Sequence, residues 1–252
     1  MKAILTYHSI DDSGSPISVS QEAFDGHRRW LTSGGVRTAS LDQIQESSES
    51  DEHVVAVTFD DASVSSKRPL ELLLEAGLRP TVFVVTGHVG GFNAWGGRDQ
   101  PGIPRLPLMT WDELGQLSER GASIGAHSRT HPHLTGLSSS QLDDELGGCC
   151  EDLQSRLGLR STQVAYPYGD VDSAIAARAA KWFSRGVTTE MATLSSGNQA
   201  LLLPRLDMYY YRAPRALDSW GSLSFRANLG WIAGRRRVKA LLTGAASGSL
   251  RR

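Results

Sequence analysis

Two short runs hold side chains whose types and spacing suit them to chemistry. Thr58-Phe59-Asp60-Asp61 ends an apolar stretch with two adjacent carboxylates, and His127-Ser128-Arg129-Thr130-His131 places two imidazoles at i, i+4 about 65 positions later. One carboxylate and two histidines make a common open ligand set for a catalytic divalent metal. The other carboxylate is then left to act as a base. Such an ion lowers the pKa of water towards 7 and polarises a carbonyl, and a carboxylate outside the ligand set can take the proton. The combination points to metal-assisted hydrolysis. Either run alone has a plainer reading, the Asp pair as a cap or turn and the His pair as incidental surface.

The elements that must position these groups alternate between strand and helix. Residues 3–7, 54–59, 81–85, 122–126, 164–165 and 186–189 read as strands, several of them continuous apolar runs of the kind buried on both faces of a parallel sheet. Helical patterns cover residues 20–33, 67–76, 110–120, 140–157 and 173–182. Gly34-Gly35, Gly77, Gly121 and Gly158 follow four of them as stops, and Thr110 with Glu113 forms a capping box. Repeated strand–helix units argue for a parallel α/β sheet or barrel. In such folds functional groups gather at the carboxyl ends of strands. Asp60, Asp61, His127, His131 and the run Tyr166-Pro167-Tyr168-Gly169 all follow expected strands.

Composition sets the outer limits. The chain has 252 residues, 40% hydrophobic and 21% charged, with a net charge of −1 that gives no argument for nucleic-acid binding. The charge is uneven: residues 212–252 hold nine Lys/Arg against one acid, Asp218, a net +8, so residues 1–211 carry −9. The adjacent Cys149 and Cys150 read as semi-buried thiols, with no disulfide framework and no partners for a zinc site. The apolar stretch at the N-terminus is too short for a signal peptide, and no run reaches the ~20 apolar residues of a membrane span. If Met1 is the native start, the expectation is a cytoplasmic protein.

Thr58-Phe59-Asp60-Asp61, His127-Ser128-Arg129-Thr130-His131 and Tyr166-Pro167-Tyr168-Gly169 resemble, in order and spacing, the signature of the polysaccharide deacetylases (the NodB-homology carbohydrate esterases). Residues 76–84 and Trp111-Asp112-Glu113-Leu114 are similar to the family as well, and the likeness spans roughly residues 2–208. The resemblance implies a distorted, incomplete (β/α) barrel that removes N- or O-acetyl groups from sugars with a divalent metal, usually zinc. It implies Asp60 as general base, Asp61, His127 and His131 as metal ligands, and the backbone N–H of Tyr168 as an oxyanion donor. His133 is not required by it and reads as an outer or surface residue.

Two departures from the family pattern matter. Many members supply a general acid from a Leu-x-His motif near the domain end, but Leu203-Pro204-Arg205-Leu206-Asp207 has no histidine. Tyr7-His8 at the first strand offers one instead, resembling the poly-N-acetylglucosamine deacetylase branch, so His8 is the expected acid. Many members also place an arginine before Tyr-Pro-Tyr to pair with the base; here that residue is Ala165, and Arg205 is the candidate substitute, since a guanidinium beside Asp60 keeps it ionised. The glycine that commonly follows the Asp pair is Ala62.

Three further regions bear on specificity. Residues 87–107 hold six glycines, three prolines and Trp95, which suits a lid, a sugar-stacking platform or a plain connection. Tyr209, Tyr210 and Tyr211 are candidates for an acceptor groove. The basic tail, residues 212–252, stands apart from the domain at 1–211. With Trp220, Phe225, Leu229, Trp231 and Ile232 among its cations, it suggests an interfacial helix on anionic lipid and hence a lipid-linked glycan; a packed helix or a disordered tail is the alternative. The leading expectation is a metal-dependent deacetylase acting on an N-acetylated carbohydrate. An O-acetyl esterase, a non-sugar amide hydrolase, or an inactive glycan-binding relative are the alternatives.

Overall fold

Apolar runs too continuous to leave one face in water become strands covered on both sides, and these build the centre of the molecule. The computed structural model describes residues 1–45, 53–99, 101–213 and 215–242. In chain order the elements are β1 (Lys2–Tyr7), β2 (Ser9–Ile10), β3 (Ser18–Val19), α1 (Gln21–Thr32), β4 (Arg37–Thr38) and β5 (Val54–Phe59). There follow α2 (Lys67–Glu75), β6 (Thr81–Val84), α3 (Trp111–Glu119), β7 (Ser123–Ala126), α4 (Ser139–Leu157) and β8 (Gln163–Ala165). The chain continues through α5 (Ser173–Ala179), β9 (Arg185–Met191), β10 (Leu203–Asp207) and α6 (Leu223–Leu242).

Strands β1, β10, β9, β8, β7, β6 and β5 pair in parallel, and β5 returns to β1 in register from Lys2↔Val54 to Tyr7↔Phe59. The ring is therefore closed with seven strands where a complete (β/α) barrel has eight. The short β4 lies along the first half of β5. This is the incomplete barrel expected from the sequence.

Side chains pointing into the ring, among them Ile4, Ala56, Phe83, Ala165, Val187 and Leu203, form a small inner core. A Cβ at Gly125 would run into the Phe83 ring, so glycine is what lets this large apolar inner side chain fit. Alternate residues of the same strands, such as Leu5, Tyr7, Val55, Val57 and Phe59, pack outward beneath the helices. The helices start where their caps direct: Ser20 accepts from Ala23 N–H, and capping boxes open α3 (Thr110/Glu113) and α4 (Ser138/Gln141). Gly158, at φ 68°, ends α4 in the left-handed conformation.

The short strands β2, β3 and β4 and the last strand, β10, are not among the expected elements. β10 has no periodic signal because Pro204 interrupts it, and its register against β9 shifts between Leu203 and Arg205. The described part of the tail packs on the domain, as the packed-helix alternative has it. Phe225, Leu229 and Ile232 of α6 are buried in the main core, and the Trp220 ring packs 4.9 Å from both Trp30 and Phe225. These four apolar side chains are thus committed to the fold and do not form a lipid-facing surface; residues 243–252 lie outside the described residues. No helix among the described residues is long and apolar enough to cross a membrane.

Candidate active site

The functional side chains sit where parallel strands end. Asp60 and Asp61 follow β5, His127 follows β7, Tyr168 follows β8, and His8 follows β1. Asp61, Ala62, Ser128, His131 and Tyr168 all have φ between 58° and 66°, in the left-handed region that L side chains avoid. Among the described residues only Arg215 joins them as a non-glycine case. Such strain persists where surrounding contacts over-determine the backbone, and its concentration here marks a functional centre. Ala62, at φ 58°, holds a conformation that glycine adopts more readily.

Asp61, His127 and His131 bring one ligand atom each to within 4.8 Å of one another. Asp61 Oδ1 lies 3.5 Å from His127 Nε2 and 3.7 Å from His131 Nε2, yet it is buried without a hydrogen-bond partner. Two donors held about 2.0–2.1 Å from one tetrahedral ion stand roughly 3.3 Å apart, so this orphaned oxygen and the two nitrogens fit a divalent metal. The His127 tautomer agrees, whereas His131 Nδ1 is buried with no hydrogen-bond partner. His127 Nδ1 donates to the Ala165 carbonyl at 2.7 Å, leaving the Nε2 lone pair facing the site. Burial, then the neighbouring His127, push the His131 pKa well below its ordinary value, keeping that ring neutral. Burial likewise raises the Asp61 pKa, with His127 and His8 opposing it.

Asp60 is held differently. Arg205, itself 1% exposed, forks onto it from inside the barrel, with Nη1–Oδ1 and Nη2–Oδ2 both 2.7 Å. The guanidinium is otherwise satisfied, because Nε donates to Thr188 O and Nη1 also donates to Thr6 Oγ1 and Thr58 Oγ1. Burial alone would raise the Asp60 pKa. The Arg205 charge and hydrogen bonds, with His127 and His8 adding to them, instead hold it well below the usual carboxylate range. His8 Nε2 stands 3.8 Å from Asp60 Oδ2 and its ring is partly exposed. Its carbonyl accepts from Ser63 and Ser66 hydroxyls, both at 3.0 Å, which fixes the turn that carries it.

His8, Asp60, Asp61, His127, His131 and Tyr168 surround a cavity of about 130 Å³, walled by Ile17, Trp95 and Ile103. The long loop therefore contributes a wall: Trp95 stacks on His131 at 4.5 Å and 23°. The loop is braced by Asn93, which donates to Pro104 O and accepts from Leu106 N–H. His133 lies outside, exposed and stacked on Tyr168 at 4.3 Å. None of Tyr209, Tyr210 and Tyr211 lines the cavity; Tyr211 is buried, and Arg236 lies over Tyr210.

Sequence reasoning missed the residues that brace the site. Glu145 of α4 accepts the backbone N–H groups of Arg129 (2.9 Å) and Thr130 (2.8 Å), clamping the loop between the two histidines. Asp152 takes Arg129 Nε at 3.1 Å and Thr86 Oγ1 at 2.6 Å. The only signal for them was acidic residues on the inner side of a helix, which periodicity alone assigns to solvent.

Comparison with known proteins agrees with this architecture. YxkH of Bacillus subtilis (strain 168), named provisionally as a polysaccharide deacetylase, is 27% identical over 210 residues, covering 81% of this chain and 70% of its own. The structure of IcaB from Ammonifex degensii matches with a TM-score of 0.68 at 20% identity, over 92% of this chain and 97% of that one. The polysaccharide deacetylase BC0361 from Bacillus cereus matches at 0.66 and 21% identity over 82% of this chain, which spans only 64% of its length. The polysaccharide deacetylase family profile matches residues 47–186, more than half of the chain, and with that match the protein belongs to the polysaccharide deacetylase family.

Proposed function

We propose that the protein is a divalent-metal-dependent hydrolase that removes the acetyl group from an N-acetylated sugar unit. The observation that carries this reading is the orphaned Asp61 Oδ1 facing two histidine Nε2 atoms beside an Asp60 kept ionised by Arg205. A donor set of one carboxylate and two imidazoles suits zinc. A bound ion would supply Lewis acidity at the acetyl carbonyl and lower the pKa of water.

The chain's own residues do the rest. Asp60 takes a proton from the attacking water, and the Arg205 fork keeps it in the deprotonated form that can accept one. The Tyr168 N–H donates to the oxygen that becomes negative; losing one such donor typically costs ~3 kcal/mol in barrier. His8 donates a proton to the departing amine, so that acetate and a free amino sugar leave. Arg205 positions Asp60 and does not itself meet the substrate. The cavity of about 130 Å³ is roughly four times the ~30 Å³ share of one liquid water. That is room for an acetyl group and a water, with the sugar ring outside against Tyr168.

The test is acetate release from N-acetylated chitooligosaccharides by the full chain, with chelator and after zinc is restored. Release that stops with chelator, returns with zinc and fails in His127→Ala is expected. Release that persists undiminished in chelator, or from O-acetylated sugars alone, would overturn the reading.

A further inference from the structure

We propose that the outer face of α6 is a docking surface for an anionic lipid bilayer. The four most exposed large apolar side chains among the described residues are all on this helix: Leu223 (85%), Leu241 (65%), Trp231 (60%) and Val238 (56%). At 3.6 residues per turn, Trp231, Val238 and Leu241 share one side with the exposed Ala227 and Gly234. That side is opposite the one carrying Phe225, Leu229 and Ile232 into the core. The inner face holds the helix rigidly while the outer ridge stands in water.

Charge selects the occupant. Arg235 and Lys239 flank one side of the ridge, and Arg226 and Arg237 the other, by the same helical geometry. Arg235 lies over the Trp231 ring at 4.7 Å. Arg236 turns inward, to Asp207 Oδ2 and Thr189 O, while Arg237 approaches Glu190 at 3.5 Å. The helix contains no Asp or Glu. An apolar ridge with basic margins on both sides matches a surface that is greasy in depth and negative at its rim, which is an acidic membrane interface. Thr189, whose carbonyl receives Arg236, also lines the catalytic cavity, so docking would hold the mouth of that cavity near the headgroups. A glycan anchored in the same bilayer would then meet the site by lateral encounter, a consequence that rests on the deacetylase reading. The lipid docking itself does not.

Co-sedimentation of the full chain with vesicles tests it, using phosphatidylglycerol–phosphatidylcholine mixtures against pure phosphatidylcholine. Binding is expected only to the anionic vesicles, weakening as salt rises. Trp231→Glu/Val238→Glu and Arg235→Glu/Lys239→Glu should each lower the partition coefficient at least tenfold. All four side chains are exposed, so circular dichroism and acetate release from a soluble oligosaccharide should stay unchanged. Absence of binding by the parent chain, or binding that both double variants retain, overturns the proposal. So does a parent dimer in light scattering that Trp231→Glu/Val238→Glu dissolves, because the ridge would then be a self-association face.

Discussion

At the scale of the residue, chemistry depends on how a buried carboxylate stays charged. Desolvation pushes Asp60 towards its neutral form, and the fork from Arg205 does most to reverse that, with His127 and His8 adding to it. Removing the arginine outright would strand a buried charge, a change that typically costs 3–5 kcal/mol of stability. Arg205→Lys keeps the charge but loses the bidentate geometry, which lysine cannot reproduce. A folded-state pKa below the unfolded value contributes stability above the unfolded pKa, and that contribution disappears as pH falls through the folded one. In Arg205→Lys the paired hydrogen bonds that oppose burial are lost while the charge remains, so the Asp60 pKa rises. We expect kcat/KM to fall about tenfold to a hundredfold and its acidic limb to move to higher pH, measured from pH 4 to 8. A limb that does not move would show that Arg205 does not set the ionisation of Asp60. Ala165 and Arg205 both belong to the barrel interior, where the Arg205 guanidinium lies 5.9 Å from the Phe83 ring centre.

At the scale of the element, the histidine loop depends on α4. Glu145 receives two backbone N–H groups and the Thr130 hydroxyl, while Arg129 is tied to Asp144 and Asp152. These contacts hold Ser128 and His131 in their left-handed conformations. Groups that orient metal ligands typically alter affinity 10- to 100-fold when changed. Glu145→Gln is expected to weaken zinc binding within that range, read by competition with a chromophoric chelator, while far-UV circular dichroism stays the same. Zinc affinity equal to that of the parent would reduce Glu145 to a fold residue. The strand–helix alternation that frames this loop was legible because long apolar runs and capped helices leave strong local patterns. β10 was not legible, because Pro204 breaks its period and its partners, β1 and β9, confirm it only in space.

At the scale of the whole molecule, closing the ring brings the two ends of the sequence together at one rim. His8 from β1 and Arg205 from β10 meet Asp60 although about 200 positions separate them in the chain. A ligand that binds only the closed ring stabilises it by mass action, by ~2.7 kcal/mol at a hundred times its Kd. For a chain of this size that corresponds to a rise of about 5–10 °C in Tm. We expect zinc to raise Tm by that amount, chelator to reverse it, and His127→Ala/His131→Ala to abolish it in differential scanning calorimetry. An equal rise in the double variant would place the metal elsewhere. The sequence by itself determined most of the strand–helix order and the Asp-Asp and His-x-x-x-His runs, because these are local patterns of period and residue type; that Ala165 stands where many family members have arginine came from the resemblance. Only the tertiary structure decided that Arg205 reaches Asp60, that Trp95 walls the cavity, and that Phe225, Leu229 and Ile232 serve the core while Trp231 does not. Those outcomes depend on which strands close the barrel and which side of a helix meets it, and a linear pattern does not encode distances between remote segments.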